Sequence, residues 1–344
     1  MNLTKVALLF FSVTVTGVVA QSEPDYNVPK NEWGDPDLSG VWNFASNTPM
    51  QRPEKWGEQE FLTSEQLQEE IVRQQAAARA ADDRAARAVD LDADIPTGPQ
   101  VLGYNDFWFE TQGLDANVRT SHIVYPANGR IPPAVEGAKV QRGNQITDTP
   151  NENRPVRFVV GGISKDGPED RGLSERCIVG FNSGPPFVPS LYNNNVQLFQ
   201  NENNVVILTE MIHDARIVPV GPKPMLDNDI RLWSGDSRGY WDNDTLVVET
   251  KNFNGDRQTF SSTGNNYDMV LTEKFKRTSY DQVVYEFTID DPATFTDKIS
   301  AVVPMTKTSG QLYEYACHEG NYGMLNTLRG ARVAEENGWD LEGR

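Results

Sequence analysis

The sequence predicts an all-β protein, an antiparallel barrel or sandwich with one helix near the N-terminus and one near the C-terminus. Three observations carry that reading. From about residue 101 to 317, short segments rich in Val, Ile, Thr, Tyr and Phe are separated by turns of Gly, Pro, Asn and Asp. Between Val270 and Arg277 the polar residues Thr272, Lys274 and Lys276 alternate with the others, so one strand face is wet and one dry. The long β-α-β spacing of a parallel sheet is missing. Twenty-seven Gly and 21 Pro in 344 residues also favour many turns over long helices.

The elements follow in order. Residues 1–20 read as a signal peptide: Lys5 gives the positive start, Val6 to Val19 an apolar stretch, and Val18 and Ala20 the small-residue rule before cleavage. The mature chain is then expected to start at Gln21, with no membrane span, in the periplasm or secreted. Residues 21–100 form an arm and a solvated surface helix over 63–90, opened by the capping-box pair Thr63 and Gln66. Residues 101–344 form the antiparallel domain, to which a strand at 40–45 belongs.

Within that domain strands are expected at 121–125, 156–160, 196–199, 205–212, 216–219 and 239–241. Others are expected at 245–250, 269–277, 282–289, 298–306 and 312–316. Asp242-Asn243-Asp244 is a tight hairpin turn. A helix over 321–336 closes the chain. Residues 126–155 and 164–174 are expected as long loops over the mouth of the barrel.

Charge excludes some functions. With 31 basic and 49 acidic side chains the net charge is −18. Such a surface repels phosphate backbones and anionic headgroups, so neither a nucleic acid nor a membrane surface is an expected partner. The only cysteines, Cys177 and Cys317, are expected to pair if the chain is exported. Two buried thiols or a reactive one are the alternatives.

Candidate chemistry rests on few residues. His318 is the first choice for a general acid or base, and His213 the second, because imidazole titrates near neutrality. As a strand, 312–318 would put Glu314, Ala316 and His318 on one face. As a strand, 205–216 would put Glu210, Asp214 and Arg216 on one face, either a charged lumen or an exposed ion-pair ladder. Tyr192 and Tyr315 would assist a proton transfer. Arg176, Arg216, Arg238, Asn193 and His122 would bind an anionic or polar substrate through forked contacts. For Arg238 the plain alternative is a corner-locking pair with Asp236. His122, His213 and His318 show no HxH or HxxxH spacing, so no metal or other cofactor is expected. A zinc or copper site made of the three is the minor alternative. No GxSxG, HExxH, P-loop or GxGxxG fingerprint occurs.

Gly40-Val41-Trp42 resembles the Gly-x-Trp entry motif of lipocalin-like (calycin) barrels, in which the Trp plugs the barrel base. The strings RTSHIVYPANGRIPP (119–133), ERCIVGFNSGPP (175–186), YNNNVQLFQ (192–200), ILTEMIHDARIVP (207–219), GDSRGYWDNDTLVVETKNFNG (235–255) and YEYACHEGNYGM (313–324) are similar to a large group of exported bacterial proteins without assigned activity. The resemblance implies export and a mostly β fold, and it carries over no catalytic residue. The first functional expectation is a secreted lyase or hydrolase acting on a small or oligomeric polar, even anionic, substrate in a barrel cavity. The alternative is a non-catalytic lipocalin-like carrier of a lipophilic or aromatic ligand. An apolar inward face favours the carrier; converging His, Arg and Tyr favour the enzyme.

Overall fold

The computed structural model describes residues 26–88, 110, 119–138, 167–168, 171, 173–254 and 268–339. The expected signal peptide, the strand at 156–160 and most of the expected loops at 126–155 and 164–174 lie outside these residues. The fold is mostly β, as the alternation requires. One antiparallel sheet holds β1 (Gly40–Asn43), β2 (Ile123–Tyr125), β3 (Asn195–Asn201), β4 (Asn204–Thr209) and β5 (Ala215–Pro219). It continues with β6 (Asp236–Asp242), β7 (Thr245–Lys251), β8 (Val270–Arg277), β9 (Gln282–Asp290) and β10 (Ile299–Thr308). The hydrogen-bonded order is β5-β4-β3-β1-β10-β9-β8-β7-β6, with β2 added on β10. Hairpins account for most neighbours; β1, between β3 and β10, and β2, on β10, are paired over long range.

The sheet curls so that its inner face packs on itself. Along β9 the residues Val283, Tyr285, Phe287 and Ile289 are buried, and the intervening ones are not. Val196 and Leu198 of β3, Phe275 of β8, and Val303 and Met305 of β10 join the same core. The two end strands touch. Val220 just after β5 and Gly239 of β6 form one parallel bridge, and the Gly221 N–H donates to the Gly239 carbonyl at 2.9 Å. A Cβ on Gly239 would stand 3.1 Å from Val218 Cγ1, so the absent side chain lets β5 approach. Direction explains why the contact stays so short. The path from β5 to β6 contains nine strands, each antiparallel to the next. An odd number leaves its first and last members parallel, so the seam cannot continue the antiparallel ladder. The sheet is not closed into a barrel by hydrogen bonds.

One end of the curl is sealed by β1. Gly40 has φ of +139°, a conformation that favours glycine. Two residues on, Trp42 is fully buried and its indole N–H donates to the Leu38 carbonyl at 2.8 Å. The Arg277 guanidinium lies 5.6 Å from the ring centre. Its nitrogens donate to the carbonyls of Asp37, Ser279 and Tyr280.

The helices match expectation in kind. α1 (Ser64–Ala88) opens with the reciprocal box: Gln66 N–H donates to Thr63 Oγ1 at 3.3 Å, and Thr63 N–H to Gln66 Oε1 at 2.8 Å. Lys55 and Arg73 flank Glu70 and hold its carboxyl below the usual range, Lys55 contributing most. No residue whose burial is described in α1 is buried, so it is a solvated helix. α2 (Tyr322–Glu336) is capped by Asn321, whose side chain accepts from Met324 N–H at 3.2 Å.

Two expected strands are corrected. The segment 205–212 ends as a strand at Thr209 and turns through a single 3₁₀ turn, Met211–His213. Ile212 and His213 have φ of 62° and 44°, which no extended strand allows. Residues 312–316 form no strand and pair with nothing in the sheet, because the chain has left it at Thr308.

We expect Trp42→Ala to lower unfolding stability by about 3–5 kcal/mol, the cost of a large cavity in a packed core. Trp33→Ala, at an exposed position, should stay within about 0.5 kcal/mol. Urea titrations of the two variants check this.

Candidate functional site

The end of the curl opposite Trp42 gathers the start of β3, β5, β6 and β8 and the end of β4, β7 and β9. Its polar centre is Glu273, on the dry phase of β8 between Leu271 and Phe275 and fully buried. An isolated carboxylate there would cost several kcal/mol. Arg216 of β5 crosses the interior to meet it, with Nη1 and Nη2 donating to the two carboxylate oxygens at 2.5 and 3.0 Å. Tyr285 Oη donates to Glu273 Oε1 at 2.8 Å and accepts the Phe187 N–H at 3.1 Å. Thr250 Oγ1 lies 3.5 Å from Arg216 Nη1 and 2.8 Å from Ser237 Oγ.

Electrostatics agrees with this geometry. Burial alone would pull the Arg216 pKa down, and the Glu273 carboxylate more than offsets it, so the guanidinium stays charged. Burial first, then the Glu273 charge, push the Tyr285 phenol well above its ordinary value. The group can orient a polar atom, but Tyr285 does not release its proton near neutrality.

A cover lies over this end. Phe187 packs 5.2 Å from Phe44 and 5.4 Å from Tyr285, ring centre to ring centre. Asn182 donates to the carbonyls of Tyr192 and Asn193, and Asn194 N–H to Glu110 Oε1 at 3.1 Å. Beside it, Cys177 and Cys317 form a disulfide with Cα atoms 5.7 Å apart, closing a loop of 140 residues. Around the bond sit Met211, Ile212, Phe181, Tyr192 and Tyr315.

The expected site residues therefore divide. Arg216 faces the interior, as the charged-lumen reading requires; the strand break takes Glu210 off its face, while Asp214, extended and two residues before it, still acts on the guanidinium. Glu210 accepts from Asn195 Nδ2 at 2.8 Å, and Asp214 accepts from Ser234 Oγ at 3.3 Å. Tyr192, Tyr315 and Cys317 meet at the disulfide, and Asn193 and half-buried Arg176 lie on neighbouring turns. His213 is exposed, with Nδ1 3.9 Å from Glu314 Oε1. His318 is exposed in a turn, not on a strand face. Arg238 is the corner lock, donating to Asp236 Oδ1 at 2.6 Å and to the Pro224 carbonyl at 2.7 Å.

His122 is separate again. It precedes β2, fully buried, with Nδ1 2.8 Å from the Val302 carbonyl and Nε2 without a partner. Desolvation lowers its pKa to about 4; the Val302 hydrogen bond opposes this and the Arg119 charge adds to it. Among the described residues no cluster of His, Cys, Asp and Glu could hold a metal ion.

Glu273 and Tyr285 are the residues that sequence reasoning missed. The signal was there for Glu273: on a strand whose wet positions are 272, 274 and 276, a carboxylate at 273 falls on the dry face. Nothing local marks Tyr285, which reads as one more apolar position of β9.

We expect Glu273→Gln to cost about 3–5 kcal/mol, since it strands a buried guanidinium. Arg216→Met combined with Glu273→Leu should come near neutral. Chemical denaturation of the three variants separates these outcomes. A second expectation concerns acid. The folded His122 pKa is about 4 against an ordinary value of 6.5, so the unfolded chain takes up the proton first. Stability then falls as pH drops from about 6.5 to 4 and levels off below, by about 3 kcal/mol in all. His122→Gln should flatten that window in stability measured against pH.

Comparison of the chain with protein-family models, with curated proteins and with solved structures finds no match.

Proposed function

We propose that the chain is an exported, calycin-like binding protein for a small ligand with an apolar or aromatic body and one polar end. The observation that carries this reading is the composition of the inner face. It is a wall of Val, Leu, Ile, Phe and Met side chains broken by one charge-compensated group, Arg216–Glu273–Tyr285. That is the pattern of a ligand site with a few placed polar groups in an apolar lining. Trp42 under the Arg277 guanidinium, two residues after Gly40, supports the barrel-base role that the Gly-x-Trp resemblance implies. The meeting of β5 and β6 at Gly239 supports a barrel-like enclosure. The disulfide fits an oxidising compartment and so supports the reading of residues 1–20 as a leader, and with it the likeness to exported bacterial proteins.

The hydrolase or lyase reading keeps one specific support. His213, Glu314, Tyr192 and Tyr315 all border the disulfide cluster at the rim of the same end. In that case His213 moves the proton, Glu314 steadies the imidazolium, and the interior group holds the substrate. The two readings differ in where they place the decisive residues: inside for the carrier, at the rim for the enzyme.

Titration of the purified protein with dansylated undecanoic acid tests the carrier. We expect one saturable site, weakened at least fivefold by Tyr285→Phe and unaffected by His213→Ala. Absence of saturable binding removes the reading. Turnover of ester or glycoside probes that disappears in His213→Ala would transfer the case to the enzyme.

A further inference from the structure

Arginine burial in this chain follows a rule with one exception. Four arginine guanidiniums are buried among the described residues: those of Arg52, Arg171, Arg277 and Arg216, the last paired with Glu273. Arg171 has Glu175 at 3.0 Å and Arg277 has Asp37 at 3.8 Å. Arg52, only 2 % exposed, pairs with no carboxylate among the described residues. Among the described residues its side chain makes a single hydrogen bond, from Nη1 to the neutral carbonyl of Ala127 at 2.9 Å. Nε is enclosed and has no partner. Nη2 has none either, and it is not one of the enclosed nitrogens. Burying a guanidinium without a counter-charge costs several kcal/mol, so an opposite charge supplied from outside would be bound strongly.

The surroundings are built for that task. Residues 126–130 fold back over Arg52: its N–H donates to the Gly129 carbonyl at 2.8 Å, and Arg130 Nη1 donates to the Arg52 carbonyl at 2.9 Å. Arg130 thereby adds a second guanidinium to the same turn, itself facing only the exposed Glu54 at 3.6 Å. Gly129 has φ of +66°, and a Cβ on it would lie 2.6 Å from Ser121 Oγ and 2.8 Å from Arg52 Nε. The turn can sit this close to both polar groups only because glycine is there.

We propose that Arg52, backed by Arg130, is the anchor of an oxyanion-binding site on this turn, which takes a carboxylate or phosphate group of a small solute through the free edge of the Arg52 guanidinium. None of the interior group Arg216, Glu273 and Tyr285 takes part. A chain of net charge −18 repels anions at long range. Affinity at this turn therefore has to come from the local forked contact rather than from the overall field.

Calorimetric titration of the full chain with inorganic phosphate and, separately, with acetate, at matched ionic strength, tests the proposal. We expect saturable binding of at least one. Phosphate alone would point to phosphate esters, and acetate alone to carboxylic acids. Arg52→Met should weaken that binding at least tenfold. Arg52→Lys, which keeps the charge but not the fork, should also weaken it about tenfold and serves if the Met variant does not fold. Wild-type protein that binds neither ion saturably, or either folded variant binding as tightly as wild type, overturns the proposal.

Discussion

A single charge pair across the interior governs how this sheet can fold. Arg216 and Glu273 lie on β5 and β8, far apart in the hydrogen-bonded order, so only the curl of the sheet brings them together. Neither could be buried alone at an acceptable cost. Two parallel N–H···O contacts also demand a narrow geometry, so the pair fixes how far the two walls stand apart and in which register they face. Tyr285 extends that constraint to the cover, because the oxygen that donates to Glu273 also accepts the Phe187 N–H. Wall, opposite wall and cover are thus joined through one carboxylate.

The two ends of the curl are held by different physics. At the Trp42 end, a buried indole, a stacked guanidinium and three carbonyl contacts make a dense seal with no slack. At the other end, the cover rests on asparagine side chains that bridge loop carbonyls, on the contacts of Phe187 with Phe44 and Tyr285, and on the disulfide. Segments with few buried apolar contacts open at lower free energy than the core they cover. Access to the interior is therefore a matter for the asparagine-rich end, where the rim residues His213, Tyr192 and Tyr315 also lie.

Much of this architecture was readable from residue order, for identifiable reasons. Strict alternation marked β8, since a period of two survives wherever one face is dry. Thr63 and Gln66 marked the start of α1 because capping is a local reaction between neighbours. The break after Thr209 was not readable: Ile212 is β-branched, yet it has a positive φ and packs in the disulfide cluster with Cys177, Tyr315 and Cys317, all distant in sequence. The same holds for His318. Its expected strand face depended on 312–318 joining the sheet, and only the long-range pairing shows that the sheet ends at Thr308. Arg216 and the disulfide were found because charge and compartment are properties of residue type. Arg52 was not, since the lack of a partner is a fact of tertiary structure.

The position of β1 has a consequence for how the molecule comes into being. This strand, the first among the described residues, is the one that lies between β3 and β10. A polypeptide made from its N-terminus must carry residues 40–43 unpaired on one edge until residue 308 has been synthesised. Assembly is therefore completed only after β10 has been made, and a truncated chain lacking β10 presents an open strand edge to its neighbours.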